Sequence, residues 1–522
     1  MKYKSELIKE IVETRGHELS SPHYESECVE SWIEETKGAY PKLCDYQSEW
    51  LNYINENPLG EFPYETVTDV TDATVNNVVP YAYKSAILKG QTLVNIKGEE
   101  SGDVPIDANK HDILIPLVKK NTDYLIKYDT TLSGGVLAIG FLNNNSTWSK
   151  NLEKQPNIGL IRLNSGEYPN YFRIRAKDEQ TVAINNLMII EYQDGMENWD
   201  IPYFEGMQSV KMPVLTTTGK NLFDGELEAG WISDGENVNS VRYTRCKNFI
   251  DVSENKTYAQ SIEGISIMSI SFYDENKEFI GSANATSIFT PPQKSSFMRF
   301  TISDTSLKLD RQIQIEESST ATAYEPYKSN ILTVNEDIEL RGIGEVRDEL
   351  DCLTGQVTER IGETTFNGSE DWTLGTNETA NTIRFKTVLQ ANIPAVNDIV
   401  TIISDNFPVL KNANINVESV QLWGSTKEFT VRILKTKAST VDEFKSYLSQ
   451  NPITIQYELA TESIKTVDLS IQDQDGNTLS EIKPIEGTMH IHSDGTPLKP
   501  TITMEIPVEA TTQNLASFIK EE

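Results

Sequence analysis

The sequence predicts a mainly β protein: tandem antiparallel jelly-roll β-sandwich modules behind a small α-helical N-terminal domain. Three observations lead there. Helical periodicity is concentrated in the first sixty or so residues and nearly vanishes beyond them. Beyond about Val67 the chain becomes short runs of Val, Thr, Tyr and Ile punctuated by Gly, Asn and Asp. A two-strand signature then recurs along that β region. At roughly 150 residues per domain, 522 residues allow three or four domains, each able to bury a core.

The helical unit, residues 1–65, places Leu7, Ile8, Ile11 and Val12 on one face and Cys28, Trp32 and Ile33 on another. Ser21 before Pro22 pairs an N-cap with a favoured first helical residue, Gly38 closes that helix, and Asp45 caps a third helix that ends before Asn57-Pro58. Three short helices bury little by themselves, so this unit is expected to anchor on another protein. Residues 66–95 are expected as a linker.

The recurring signature begins with a strand centred on arginine: Tyr171-Phe172-Arg173-Ile174-Arg175, Phe297-Met298-Arg299-Phe300-Thr301 and Phe429-Thr430-Val431-Arg432-Ile433. An apolar strand closing on glutamate follows, with Glu191, Glu316 and Glu458 lying 18, 17 and 26 residues after the arginines. An extra helix headed by Thr440 as N-cap accounts for the longer third spacing. The first two copies also share Asn121-Thr122-Asp123-Tyr124 with Asn255-Lys256-Thr257-Tyr258, and Phe141-Leu142 with Phe272-Tyr273. These matches predict β-sandwich modules over 96–212, 213–335 and 363–465. Between the last two, residues 336–362 carry dense alternating charge and read as a solvated hairpin connector turning at Leu353-Thr354-Gly355. A β-rich segment, 466–522, closes the chain.

With these residues in view the chain resembles the minor structural and tail-appendage proteins, tail fibre or baseplate, of tailed bacteriophages infecting Gram-positive hosts. The resemblance covers about residues 66–362. It rests on Tyr83-Lys84-Ser85-Ala86-Ile87-Leu88-Lys89-Gly90-Gln91-Thr92-Leu93-Val94-Asn95, Gly219-Lys220-Asn221-Leu222-Phe223, Tyr324-Glu325-Pro326-Tyr327-Lys328-Ser329 and the charged hairpin. It implies a homo-oligomeric, often trimeric, virion component whose modules are like carbohydrate-binding modules and whose chain carries no catalytic motif. The expected partners are other virion proteins through the helical domain, further copies of the chain in a homotrimer, and host cell-wall glycan. A head fibre, a passive assembly connector and a glycan-degrading appendage are the alternatives.

Composition narrows the chemistry. Lys+Arg 46 against Asp+Glu 78 gives a formal charge of −32, which repels nucleic-acid phosphates and anionic membrane surfaces. No apolar run is long enough to span a bilayer, Met1-Lys2-Tyr3-Lys4-Ser5-Glu6 lacks a signal-peptide pattern, and the four cysteines show no CxxC spacing. Five histidines and no GxSxG, HExxH, Walker or GxGxxG pattern lead to the expectation of no enzyme, no cofactor and no catalytic residue. In Met489-His490-Ile491-His492 both imidazoles share one strand face. Three chains around an axis could present six nitrogens to a metal, but an exposed pair beside a turn is the favoured reading and no metal is expected. Asp473-Gln474-Asp475-Gly476-Asn477 reads as a hairpin turn. Sugar rings stack on aromatic faces, so Trp148, Trp231 and Tyr273, set among Asn, Ser, Asp and Glu, are the glycan-binding candidates, with packing in a sandwich core as the commoner fate of such rings.

Overall fold

A computed structural model describes residues 64–96 and 203–509, apart from 263, 275–276, 285, 304–310 and 411–417. Between 97 and 202 it describes the strands and a few adjoining residues. The helical unit expected over 1–65 lies outside the described residues, except that Tyr64 and Glu65 open the strand Tyr64–Val70.

The described chain is mainly antiparallel β, organised around one central pair of sheets. The first runs in the order Tyr64–Val70, Thr501–Pro507, Ser85–Lys89, Glu349–Asp351, Gln356–Phe366, Ile453–Thr466 and Ile402–Ser404. The second runs Asp72–Val78, Gly487–Thr496, Met207–Gly219, Ser329–Val334, Leu469–Asp473 and Thr478–Leu479. Period-two alternation turns Leu88, Leu350, Val357, Ile502 and Met504 of the first sheet toward Val75, Leu215, Leu332, Met489 and Ile491 of the second. Each such side chain, fully buried, contributes about 1.5–3 kcal/mol.

This scaffold overturns three expectations. The stretch 66–95 is no linker, because Val67 pairs with Met504 and Ile87 with Thr503. The stretch 336–362 is no solvated connector: Leu350 pairs with Leu88 on one side and Val357 on the other. Its charges serve cross-strand pairs inside the sheet, Arg360 with Glu349 at 2.9 Å and Glu359 with Lys465 at 2.8 Å. Residues 469–507 are not a separate closing segment but further strands of the same two sheets. The turn falls where its local chemistry put it. Gly355 has φ +71°, and a Cβ there would lie 2.5 Å from the Val467 carbonyl oxygen.

Three inserted modules leave this scaffold. Module 1 pairs a sheet ordered Asp112–Pro116, Tyr171–Ala176, Leu137–Leu142, Trp148–Lys154 with one ordered Gly159–Asn164, Asp123–Thr130, Val182–Glu191, Val104–Ile106. Module 2 repeats that order without a counterpart of Val104–Ile106 and with Leu227–Ala229 and Thr244–Cys246 added: Phe297–Ile302 lies between Ile250–Asp251 and Ile267–Tyr273, which pairs Phe279–Asn284, and Tyr258–Ile262 lies between Ile288–Phe289 and Ile313–Glu317. The strands Met207–Gly219 and Ser329–Val334, expected inside modules, belong to the scaffold, so module 2 is held within about residues 220–328. Register moves one equivalence. Tyr124 pairs with Glu191 and Tyr258 with Glu317, so Glu317, not Glu316, matches Glu191. Module 3 carries the sheet Thr373–Leu374, Thr382–Val388, Glu428–Leu434, Ser419–Leu422 and the helix Val441–Gln450, capped by Thr440 through its bond from Glu443 N.

One device roots the first two modules. Asn95 donates through Nδ2 to the carbonyls of Leu187 (3.1 Å) and Phe204 (2.9 Å), and its Oδ1 accepts from Ile189 N (3.1 Å). Asn221 does the same with Ile313 (2.9 Å), Glu325 (3.0 Å) and Ile315 N (3.2 Å). The incoming chain is thereby stitched to the last strand of each module and to the outgoing chain, with every polar atom of a buried amide satisfied.

Candidate functional site

Two of the repeated arginines, Arg299 and Arg432, hold loops over sheet faces. In Phe297–Ile302, Met298, Phe300 and Ile302 enter the module core, which turns Arg299 to the opposite face. There it is only 4% exposed, donating through Nη1 to Asn237 Oδ1 (2.8 Å) and through Nη2 to Cys246 O (2.7 Å). Arg245 beside it donates to Glu228 Oε1 (2.7 Å) and to the carbonyls of Trp231 (3.1 Å) and Val238 (2.9 Å). Both guanidiniums thus tie the hairpin Trp231–Ser233/Glu236–Val238 down as a roof. In module 3 Arg432 is equally buried and donates to Asn377 O (2.9 Å) on a loop over the matching face. A planar fork with several donors suits this bridging better than a lysine would.

The three aromatic candidates part company here. Tyr273 is 2% exposed; its hydroxyl donates to Gly235 O (3.0 Å) and its ring meets Phe249 edge-on at 4.8 Å, so it offers no face to a sugar. Trp231 lies on the roof of the same sheet face, half-buried beside Tyr243 at 6.1 Å, and keeps part of its ring in reach of solvent. Trp148 opens the edge strand Trp148–Lys154, and its side chain lies outside the described residues.

His490 and His492 do share one strand face, while Met489 and Ile491 enter the core. They do not converge on a common point. His490 Nδ1 lies 3.1 Å from Thr74 Oγ1, and His492 Nδ1 bonds Asp72 Oδ1. Among the described residues no group of three or more His, Cys, Asp or Glu is placed to hold a metal ion. Asp473 accepts from the backbone N–H of Asp475 (2.9 Å) and Asn477 (2.8 Å), which makes its loop a hairpin turn. Cys246 and Cys352 are buried, and burial pushes both thiols up, away from the reactive thiolate.

A polar cleft of about 250 Å³ opens where the outgoing end of module 1, the scaffold and the root of module 3 meet. Glu205, Glu339, Glu363 and Asp405 bring four carboxylates to its walls, joined by Lys211, Ser209 and Gln456. The floor is a fixed network: Thr92 donates to Gln456 Oε1 (2.8 Å), while Gln456 Nε2 donates to Ser209 Oγ (3.2 Å) and Glu363 Oε2 (3.0 Å). Burial pushes Asp405 up to about 6, against the N–H of Thr454 that its carboxylate accepts (3.0 Å). Such a cleft can hydrogen-bond a polar ligand and keep one acid near its midpoint close to neutrality. No sequence pattern marks these acids, which come from four separate stretches of chain. The chain matches no known family model and no curated protein.

Proposed function

We propose that this chain is a non-catalytic structural protein of a bacteriophage virion, a tail-fibre or baseplate appendage. Its two-layer modules would be jelly-roll sandwiches, like carbohydrate-binding modules, that aid attachment to host cell-wall glycans. The observation that carries the reading is the duplicated mounting: modules 1 and 2 have one strand order and are rooted by the same asparagine clamp on one scaffold. Repeated mounting of similar modules suits display, and a homotrimer would multiply weak contacts through effective concentration. The similarity of the Tyr83–Asn95, Gly219–Phe223 and Tyr324–Ser329 segments to such proteins supports the same reading. In it, residues 1–65 dock on other virion proteins, Trp231 is the remaining described candidate for sugar stacking, and the acidic surface keeps the assembly dispersed. Antibody labelling of intact particles by electron microscopy, with a sedimentation assay on purified host cell walls, tests it. Labelled appendages and wall binding are expected; an unlabelled particle and no binding would refute it.

The acidic cleft favours a second reading, a glycan-degrading appendage, because Asp405 sits near its midpoint beside other carboxylates. Release of reducing ends from wall polysaccharide, lost in Asp405→Asn, would establish it.

A further inference from the structure

The contact between module 2 and the scaffold is built from groups that titrate. Module 2 keeps an apolar core of its own, centred on Phe223, Phe272, Met298, Phe300 and Ile315, with no scaffold residue in it. It lies against the scaffold face formed by Asp72–Val78 and Gly487–Thr496, where the register sets Thr74 beside His490 and Asp72 beside His492. On the other flank Thr218 and Thr216 stand beside the same two histidines.

His490 is central to that face. Its side chain is 15% exposed, Nδ1 meets Thr74 Oγ1, and Nε2 is buried with no hydrogen-bond partner. From module 2, Glu317 Oε2 reaches to 3.9 Å of His490 Nδ1, but that oxygen is already held by Lys256 Nζ at 2.7 Å. Around His492 lie Asp72, Lys499 and, from module 2, Asp251 with Lys277 beyond it. A neutral imidazole fits this setting. An imidazolium would bring a second N–H with no acceptor and a positive charge close to the Lys256–Glu317 pair.

We propose that this face is an acid-released latch, in which protonation of His490 lifts module 2 from the scaffold while its two-strand neck keeps it attached. Burial holds His490 below the usual imidazole range, with Glu317 opposing and Lys256 reinforcing that shift. The sign follows from linkage. A group whose value is lower in the seated state stabilises seating above its free value of about 6.5, and that contribution is lost as pH falls through the free value toward the seated one. Asp251, raised by burial, binds its proton better in the seated state and works against release, starting from the carboxylate side of the range.

Hydrogen exchange by mass spectrometry on the full chain tests the latch, with peptides covering 250–258, 313–318 and 487–496 followed from pH 7.5 to 5 after correction for intrinsic rate. Protection there is expected to fall below pH 6.5, by up to about tenfold per pH unit, the limit for one proton. Protection at the core strand Ile502–Pro507 stays constant. His490→Gln should remove the loss, and Glu317→Gln, which withdraws the opposing carboxylate and lowers the seated value further, should leave its onset unchanged and carry the loss to more acidic pH. Unchanged protection in the natural chain down to pH 5, or the same fall in His490→Gln, would overturn the proposal. Should His490→Gln not fold, a loss in Glu317→Gln that ends at less acidic pH than in the natural chain would overturn it equally.

Discussion

Modules 1 and 2 share a strand order and a clamp yet join the scaffold in opposite ways. In module 1 residues 187–190 of the strand Val182–Glu191 are apolar on both faces: Leu187 and Ile189 enter the module's own core, while Met188 and Ile190 enter the scaffold core with Leu125. In module 2 the matching strand keeps Ile313 and Ile315 inward, but Gln314 and Glu316 take the outward places. Those two groups bind the module's own returning chain, Gln314 Oε1 accepting from Glu325 N (2.8 Å) and Glu316 Oε1 from Thr322 N (2.7 Å). Two alternating positions therefore decide whether a module is welded to the scaffold or mounted on it. Module 3 uses a third arrangement, in which the far ends of Gln356–Phe366 and Ile453–Thr466 supply part of its core through Phe366, Ile453 and Ile455.

The largest expected effect breaks the weld. Met188→Gln with Ile190→Glu gives module 1 the outward polarity of module 2 without a returning chain to satisfy it. Urea unfolding should show a loss of about 5 kcal/mol or more, shared by module 1 and the scaffold. Next is the clamp of the mounted module. Asn221→Ala strands the N–H of Ile315 and two carbonyls and should cost about 2–4 kcal/mol, confined to module 2 and read by hydrogen exchange at 313–315. A smaller effect sharpens the picture at the root of module 3. Asp405, raised to about 6 by burial, has a stability contribution that is full below about pH 4 and is lost as pH rises through 6. Asp405→Asn should thus stabilise the chain at pH 7 by about 1–2 kcal/mol and flatten its stability profile between pH 4 and 6, measured by thermal unfolding across that range.

What could be read beforehand was local. The Thr440 cap, the Gly355 turn and the Asp473 turn are each decided within a few residues, and the arginine-centred strands stand out because an ionised side chain in an apolar strand is unusual. The scaffold was not legible, since its strands find partners more than 400 residues away, as Thr74 does with His490, and strand patterns say nothing about who pairs with whom. Nor did the pattern show which face an arginine or tyrosine would take once a loop closed over it. Arg299, a repeat marker in the sequence, is a tether, and Tyr273, a glycan-binding candidate there with core packing as the commoner fate, is core.

Native-state hydrogen exchange at pH 7.5 with increasing urea tests the contrast between weld and mount most directly. Amides of Leu187–Ile190 should open with those of Met489–Ile491 at one free energy, and amides of Ile313–Glu316 at a lower, separate one. A single shared opening free energy for all three segments would contradict it.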